Sequence, residues 1–280
     1  IIIKLFKIIN NKIRNIINKK GILTMILSSI LIVIGFVLLI VGADLLVDGA
    51  SGIAKNSHIP EIIIGLTIVS IGTSMPELFV SITSALDGYS DMAIGNIIGS
   101  NLCNLLLILG LSATIKSVVF QKETRLYEIP MCLLVTIVLM YFCNSQGGIS
   151  RLEAVILLVL FCAFIGYTIY MGRKESKKEI VEIQTEEKKN SILKNIVFVL
   201  LGIFSLKFGG DLVVDNAVNV ARYFNWSEKL ISLTILAVGT SLPELVTSVT
   251  AAIKGNSDIA IGNIIGSNIF NILLIIGTSA

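Results

Sequence analysis

The sequence predicts an all-α polytopic membrane protein made of two inverted repeats of five helices each, with about eight of the ten helices present. Composition, run length and an internal repeat predict it. Hydrophobic residues make up 54% of the chain and charged residues 15%, with a mean hydropathy of +0.89. An ordinary globular domain carries about 45–50% apolar and about 25% charged residues, so lipid is the solvent for most of this chain. The net charge of +3 is small and scattered, which argues against a nucleic-acid partner.

A helix rising about 1.5 Å per residue needs about 20 apolar residues to cross the hydrocarbon core. Eight runs meet that length: 25–47, 61–86, 92–115, 126–144, 152–171, 192–215, 228–253 and 258–280. The first is too long for a signal-peptide core and further spans follow it, so it is read as helix one. The connections 87–91 and 144–150 are short, polar and glycine-bearing, as helix hairpins require. The chain divides into a basic amphipathic segment 1–24 suited to a membrane surface, a first repeat 25–172, a charged linker 173–191 and a truncated second repeat 192–280. Lysine and arginine favour the short loops on the linker's side, which places the linker in the cytoplasm. Cys103, Cys132, Cys143 and Cys162 fall in or beside spans without CxxC spacing and are read as packing residues.

Sliding the chain by 167 residues (239 minus 72) aligns GTSMPE at 72–77 with GTSLPE at 239–244. Residues 65–113 then match 232–280 without a gap, and more than half of the positions are identical. The longest shared block is AIGNIIGSN, at 93–101 and 260–268, and GADLLVD at 42–48 finds GGDLVVD at 209–215. Each unit holds an odd number of spans, so the second copy enters the membrane from the opposite side. Secondary transporters of this design place their substrate near the midplane, where the repeats meet. The chain begins with Ile1 and stops inside its eighth span, so helices equivalent to the fourth and fifth are expected after Ala280.

Pro76 and Pro243 each interrupt a span, and the Gly, Thr and Ser before them mark backbone that unwinds. Freed carbonyls are tolerated at membrane depth where they are buried or face a wet cavity. Ser70, Thr73, Ser74, Glu77 and Ser81 share one helical face, and Thr240, Ser241, Glu244 and Ser248 repeat most of it. In the next span Asn96, Ser100 and Asn104 recur every four residues, as do Asn263, Ser267 and Asn271. Gly95, Gly99, Gly262 and Gly266 are expected to let helices approach closely. Two hairpins, closed at Gly88 and Gly255, would enclose one polar centre.

The donors at that centre are oxygens almost exclusively, which suits hard cations; Ca²⁺ takes about 6–8 of them in flexible geometry. His58, the single histidine, lies in a loop beside Pro60, so soft transition metals are disfavoured. Two glutamates carry a charge that balances one Ca²⁺, and with the neutral oxygens they also suit monovalent ions. An ionisable residue inside the membrane is costly and functional by default. Lys207 and Asp211, one turn apart, are expected to neutralise each other, and Asp44, Asp48 and Asp215 to lie solvated or capping near helix ends.

The paired GTS[ML]PE and GNIIGSN motifs resemble those of the cation/calcium antiporters, the family that includes the sodium/calcium exchangers, over residues 25–280. The resemblance implies ten helices in two inverted halves, a central ion site on helices two, three, seven and eight, and helices one and six sliding across it as gates. It implies that Glu77 and Glu244 bind Ca²⁺ and Na⁺ directly. Thr73, Ser74, Thr240, Ser241, Ser100 and Ser267 would add oxygens, with the backbone carbonyls of Ser70 and Ala237. Asn104 and Asn271 occupy positions that vary between Asn and Asp in the family; an Asp at the second goes with potassium-dependent members and also occurs in some prokaryotic exchangers. The vacuolar proton/calcium branch carries a GNxxE-type motif in place of GTSxPE, which favours sodium as the coupling ion here.

The expected protein is therefore a multi-pass plasma-membrane antiporter, not an enzyme, with the lipid bilayer as its surroundings, Ca²⁺ and Na⁺ as transported ions and no cofactor. A proton-coupled Ca²⁺ antiporter and a passive cation channel are the alternatives. An intramembrane protease is disfavoured because HExxH is absent from the sequence.

Overall fold

The computed structural model describes residues 2–117, 119–145, 148–179, 191–231, 234–235 and 237–280. Most of the charged linker, 180–190, lies outside these residues. Helix α1 runs Ile2–Ser57, without a break at the expected boundary between 24 and 25. Helix α2 is a bent pair, Glu61–Thr73 (α2a) and Met75–Leu86 (α2b). Then come α3 (Asp91–Ile115), α4 (Thr124–Asn144), α5 (Arg151–Glu179) and α6 (Ile192–Tyr223). Helix α7 is made of Glu228–Ile231, Ala237–Gly239 and Leu242–Lys254 (α7b), and α8 is Ser257–Ser279. Among the described residues, six helices are long and apolar enough to cross a membrane, and the α2 pair makes a seventh. The remaining expected span, 228–253, includes residues outside the described set.

The local reasons for these ends are repeated as faithfully as the sequence. Among the described residues the positive-φ positions are His58 (51°), Gly88 (83°), Asn225 (59°) and Gly255 (89°), two pairs related by the repeat offset. Each ends a helix by the same device. At Gly88 the amides of Gly88 and Tyr89 bond to the Ala85 and Ser84 carbonyls, and at Gly255 the amides of Gly255 and Asn256 bond to those of Ala252 and Ala251. These are left-handed caps that satisfy the last carbonyls of a helix. His58 thus serves a helix end, and Pro60 follows where the helix can no longer continue.

The bend in α2, 48°, falls at Ser74. Pro76 has no N–H to give the Gly72 carbonyl, and its ring crowds that turn. Ser74 (φ −84°, ψ 8°) and Ser241 (φ −88°, ψ 5°) both sit in the sparsely populated bridge region just before their prolines. The unwinding expected here is thus a break of one residue in α2, Ser74, and of two in α7, Thr240 and Ser241, and in α2a a π-helical turn over Gly65–Val69 precedes it.

Helices α1 and α6 pack face to face through glycines spaced seven apart. A Cβ at Gly42 would lie 2.9 Å from the Leu206 nitrogen, and one at Gly202 would lie 2.8 Å from the Gly42 oxygen. Gly35 meets Gly209 and Gly49 meets Asn195, so these two repeat-equivalent helices run antiparallel. Ser205 adds a hydrogen bond to the Leu38 carbonyl at 2.8 Å. Helix α8 is the centre of the other bundle and is almost wholly buried. Its apolar face meets Ile62 and Leu66 of α2a and Leu157 and Phe164 of α5, with Phe161 and Phe270 edge to face at 5.7 Å.

Because the α1–α6 contact has no room for a side chain, Gly202→Leu should cost about 1–3 kcal/mol by overpacking. A lowered Tm in detergent reads this, with Gly110→Ala as the control, since a Cβ there meets nothing within 4 Å. Equal Tm values for the two variants would contradict the packing described.

Candidate functional site

Glu77 and Glu244 each begin the helix that follows a proline break, and both are fully buried. Each accepts from a serine of the opposite repeat. Ser74 donates to Glu244 Oε1 at 2.7 Å, and Ser241 donates to Glu77 Oε1 at 3.5 Å. Ser100 also donates to Glu77 Oε1, at 3.3 Å, and the one Ser241 proton is shared between Glu77 and Ser100, whose Oγ lies 3.2 Å away. The serine beside each break therefore steadies the other half's carboxylate, and the two breaks meet at one place.

The two asparagine stripes close around them. Asn104 and Asn271 are fully buried, each at the start of a π-helical turn, Cys103–Ile108 and Asn271–Ile276. Asn271 donates to Ser100 at 3.2 Å. Among the described residues, Glu77 Oε2, Glu244 Oε2, Asn104 Oδ1, Asn271 Oδ1, Ser267 Oγ, Thr240 Oγ1 and Thr247 Oγ1 are buried and have no hydrogen-bond partner. A buried oxygen without a partner forfeits the hydration it had in water, so such a concentration of acceptors is what a dehydrated cation requires.

The sequence-expected residues separate into those brought together and those held elsewhere. Ser74 and Glu244 form one bonded pair, and Glu77, Ser100, Ser241 and Asn271 form a second bonded group. Thr73 donates to Asn263 Oδ1 at 2.9 Å while staying within reach of the Glu244 carboxylate, and the Ser70 carbonyl accepts from the Ser74 amide at 3.0 Å. Ala237 opens the short helix Ala237–Gly239. Thr247, Asn101 and Asn268 were not singled out in the sequence. The two asparagines stand in the repeated AIGNIIGSN block, but one place off the four-residue stripe.

The family model described as sodium/calcium exchanger protein matches residues 27–170 and 194–280. The chain belongs to that family. It is 41% identical over 256 residues to the putative antiporter CaxA of Alkalimonas amylolytica, covering 90% of this chain and 80% of that protein. It is 38% identical over 265 residues to the inner membrane protein YrbG of Escherichia coli K12, covering 91% and 80%. A solved structure of the sodium-calcium exchanger NCX_Mj, soaked with Na⁺ and Sr²⁺, superposes with a TM-score of 0.79 at 32% identity, covering 91% of this chain and 82% of that one. Membership makes this a multi-pass membrane antiporter for cations and not an enzyme.

In this exchanger-family chain the described contacts of the two similar halves differ at the repeated glycines. Gly262 and Gly266 are closed in: a Cβ at Gly262 would lie 2.7 Å from the Ile62 oxygen, and one at Gly266 would lie 2.7 Å from Ser70 Oγ. Gly95 and Gly99 were expected to pack in the same way. They are exposed, with nothing described within 4 Å, and line a cavity of about 520 Å³ between α2b, α3, α6 and α7. Thr240 and Asn96 both line that cavity. Their repeat-equivalents Thr73 and Asn263 are hydrogen-bonded, whereas Thr240 Oγ1 has no partner.

Charges mark the two ends differently. Lys207 pairs with Asp211 at 2.8 Å, as the one-turn spacing predicted, and lies 5.9 Å from the Phe79 ring centroid at the cavity wall. Asp44 and Asp48 are not at a helix end, because α1 continues to Ser57; from α1 they hold Lys254, at the end of α7b, at 2.5 and 2.7 Å. Asp215 likewise lies within α6 and lines the cavity. Lys254 stands just past the expected span; desolvation lowers its pKa, but the hydrogen bonds and charges of Asp44 and Asp48 outweigh this and hold it above the ordinary lysine value.

Since the Asp44 and Asp48 side chains are 55% and 52% exposed, the bridge to Lys254 is screened. Lys254→Met is expected to cost no more than about 1 kcal/mol, seen as a small drop in Tm. A loss of several kcal/mol would mean that the bridge, and not apolar packing, joins α1 to α7b.

Proposed function

We propose that the chain exchanges Ca²⁺ for Na⁺ across the cell membrane by alternating access, with both ions using the oxygens between Glu77 and Glu244. The observation that carries this reading is the crossed pair of buried glutamates, each with one oxygen bonded to the other repeat's serine and one without a partner. Two carboxylates match the charge of one Ca²⁺, and the neutral oxygens complete a shell for Ca²⁺ or for Na⁺. Thr73, Ser74, Thr240, Ser241, Ser100, Ser267, Asn104 and Asn271 supply those oxygens, with the Ser70 and Ala237 carbonyls beside the breaks. The GTSxPE motif, and the sodium-calcium exchanger named in the matching structure, support sodium as the counter-ion. The similarity to a relative named as an inner membrane protein supports the cell membrane as its place.

Coupling comes from exclusion. Occupancy by either ion neutralises the carboxylates, so the loaded site can be sealed in a low-dielectric interior, whereas two uncompensated charges there are too costly to seal. Alternation has a structural basis in α2a, which closes on α8 at Gly262 and Gly266; the α7 positions equivalent to Gly65 and Leu66, 232 and 233, lie outside the described residues. With the linker in the cytoplasm, the cavity faces outward and the Lys254 bridge lies on the cytoplasmic side. In the opposite state Gly99 takes the close-packed role of Gly266, and Thr240 bonds Asn96 as Thr73 now bonds Asn263.

Radioactive Ca²⁺ uptake into proteoliposomes of the full-length protein tests the coupling. An outward Na⁺ gradient should drive it at matched membrane potential and an outward proton gradient should not; uptake driven only by protons would replace the counter-ion, and uptake with no counter-ion would make the protein a channel. Glu77→Gln and Glu244→Gln should each abolish uptake, and full activity in either would remove that residue from the site. Gly99→Leu should block the closure of the cavity, leaving Ca²⁺ binding intact while exchange is lost; normal exchange in this variant would refute the proposed opposite state.

A further inference from the structure

The amides of Asn104 and Asn271 pose a chemical problem that the carboxylates do not. A carboxylate shows oxygen whichever way it turns, but a carboxamide has an oxygen at one end and an NH₂ group at the other. Turned the wrong way, it would present two N–H bonds to a cation. Rotation about the last side-chain torsion exchanges the ends, so something outside the amide must choose between them.

The choice is made by two asparagines from the opposite repeat. Asn104 Nδ2 donates to Asn268 Oδ1 at 3.0 Å, and Asn271 Nδ2 donates to Asn101 Oδ1 at 2.9 Å. The two bonds are repeat-equivalents, since 104 pairs with 271 and 101 with 268 at the offset of 167. Turning the Asn271 amide over would set oxygen against oxygen and lose the bond; Asn104 is held in the same way while Asn268, whose own Nδ2 is buried without a partner, keeps its oxygen towards it. Asn104 Oδ1 and Asn271 Oδ1 are left without partners and fully buried. Asn101 is itself oriented, because its Nδ2 donates to the Asn268 backbone oxygen at 3.2 Å, which leaves only its Oδ1 for Asn271. Asn268 is 1% exposed, so no bulk water competes for its bond to Asn104.

We propose that Asn101 and Asn268 are positioning residues of the ion site: each takes the NH₂ end of the other half's amide, so that Asn104 and Asn271 give oxygen to the cation. This rests on the reading of the Glu77–Glu244 centre as the ion site. Neither residue touches the ion; each acts through its partner, as the outer partners of metal ligands do. Loss of such a partner lowers metal affinity by about 10–100-fold.

The test is Ca²⁺ binding to the purified full-length protein, together with the KM of Na⁺-driven Ca²⁺ uptake. Asn268→Leu should weaken binding and raise KM about tenfold or more, while Asn268→Asp, which keeps an acceptor facing Asn104, should stay close to wild type. The deciding variant is Asn268→Leu combined with Asn104→Asp. A carboxylate at 104 needs no orientation, so Asn268→Leu should then have little further effect on affinity. An equal loss in both backgrounds would show a merely structural role and overturn the proposal, as would unchanged affinity in Asn268→Leu. If Asn268→Leu does not yield folded protein, Asn101→Leu, at a half-buried position, with Asn271→Asp as its partner change, makes the same comparison. Failure of the wild-type protein to bind Ca²⁺ would overturn the ion-site reading itself, which is a different result from binding that ignores Asn268.

Discussion

Two carboxylates buried beside one another are the constraint around which this molecule is organised. An ionised group in a low-dielectric interior is tolerated only with hydrogen bonds or a counter-charge. Glu77 and Glu244 find some of that compensation in hydroxyls, and the hydroxyl beside each comes from the other repeat: Ser74 for Glu244 and Ser241 for Glu77. The two proline breaks must therefore meet, and with them the helices that carry them. In the proposed function the remaining compensation is a cation. That single requirement explains why acceptors such as Glu77 Oε2 and Asn271 Oδ1 can stay without partners in a fully buried place.

The repeat creates a second tension. Two nearly identical sequences would give two identical halves, yet a site that opened on both sides at once would be a leak. Here the same glycine pair is pressed against a helix in one copy, at Gly262 and Gly266, and faces a cavity in the other, at Gly95 and Gly99. Small residues at these positions permit both arrangements, because a backbone without side chains can pack tightly or stand apart with little change in local geometry. The glycine ladder between α1 and α6 and the charges of Asp44, Asp48 and Lys254 surround this asymmetry, one by allowing close contact and the other by joining α1 to the end of α7b.

Much of this was legible along the chain because it depends on local order. Span length, the Pro76 and Pro243 breaks, the Gly88 and Gly255 turns, and the stripes of oxygen at Glu77 and Asn104 all follow from helical spacing and backbone chemistry. The Lys207–Asp211 pair was legible for the same reason, being one turn apart. Asp44 and Asp48 were misread as helix-end residues because α1 continues well past the apolar run, and their partner Lys254 is more than two hundred residues away. Asn101 and Asn268 escaped notice because each lies off the ligand stripe of its own helix. The seven-residue glycine spacing on α1 was present in the sequence, but only the facing helix gives it meaning.

The sequence by itself determined the solvent, the two-fold repetition, the kinds of ligand and the places where helices break, since each is set by residues within a few positions of one another. Only the tertiary structure decided which serine holds which glutamate, which way the Asn104 and Asn271 amides turn, and which of two equivalent glycine pairs is closed. Those are contacts across the repeat, the hydrogen bonds among them made between residues about 140 to 190 positions apart, and no spacing within a few residues of a helix reveals which distant partner will face it.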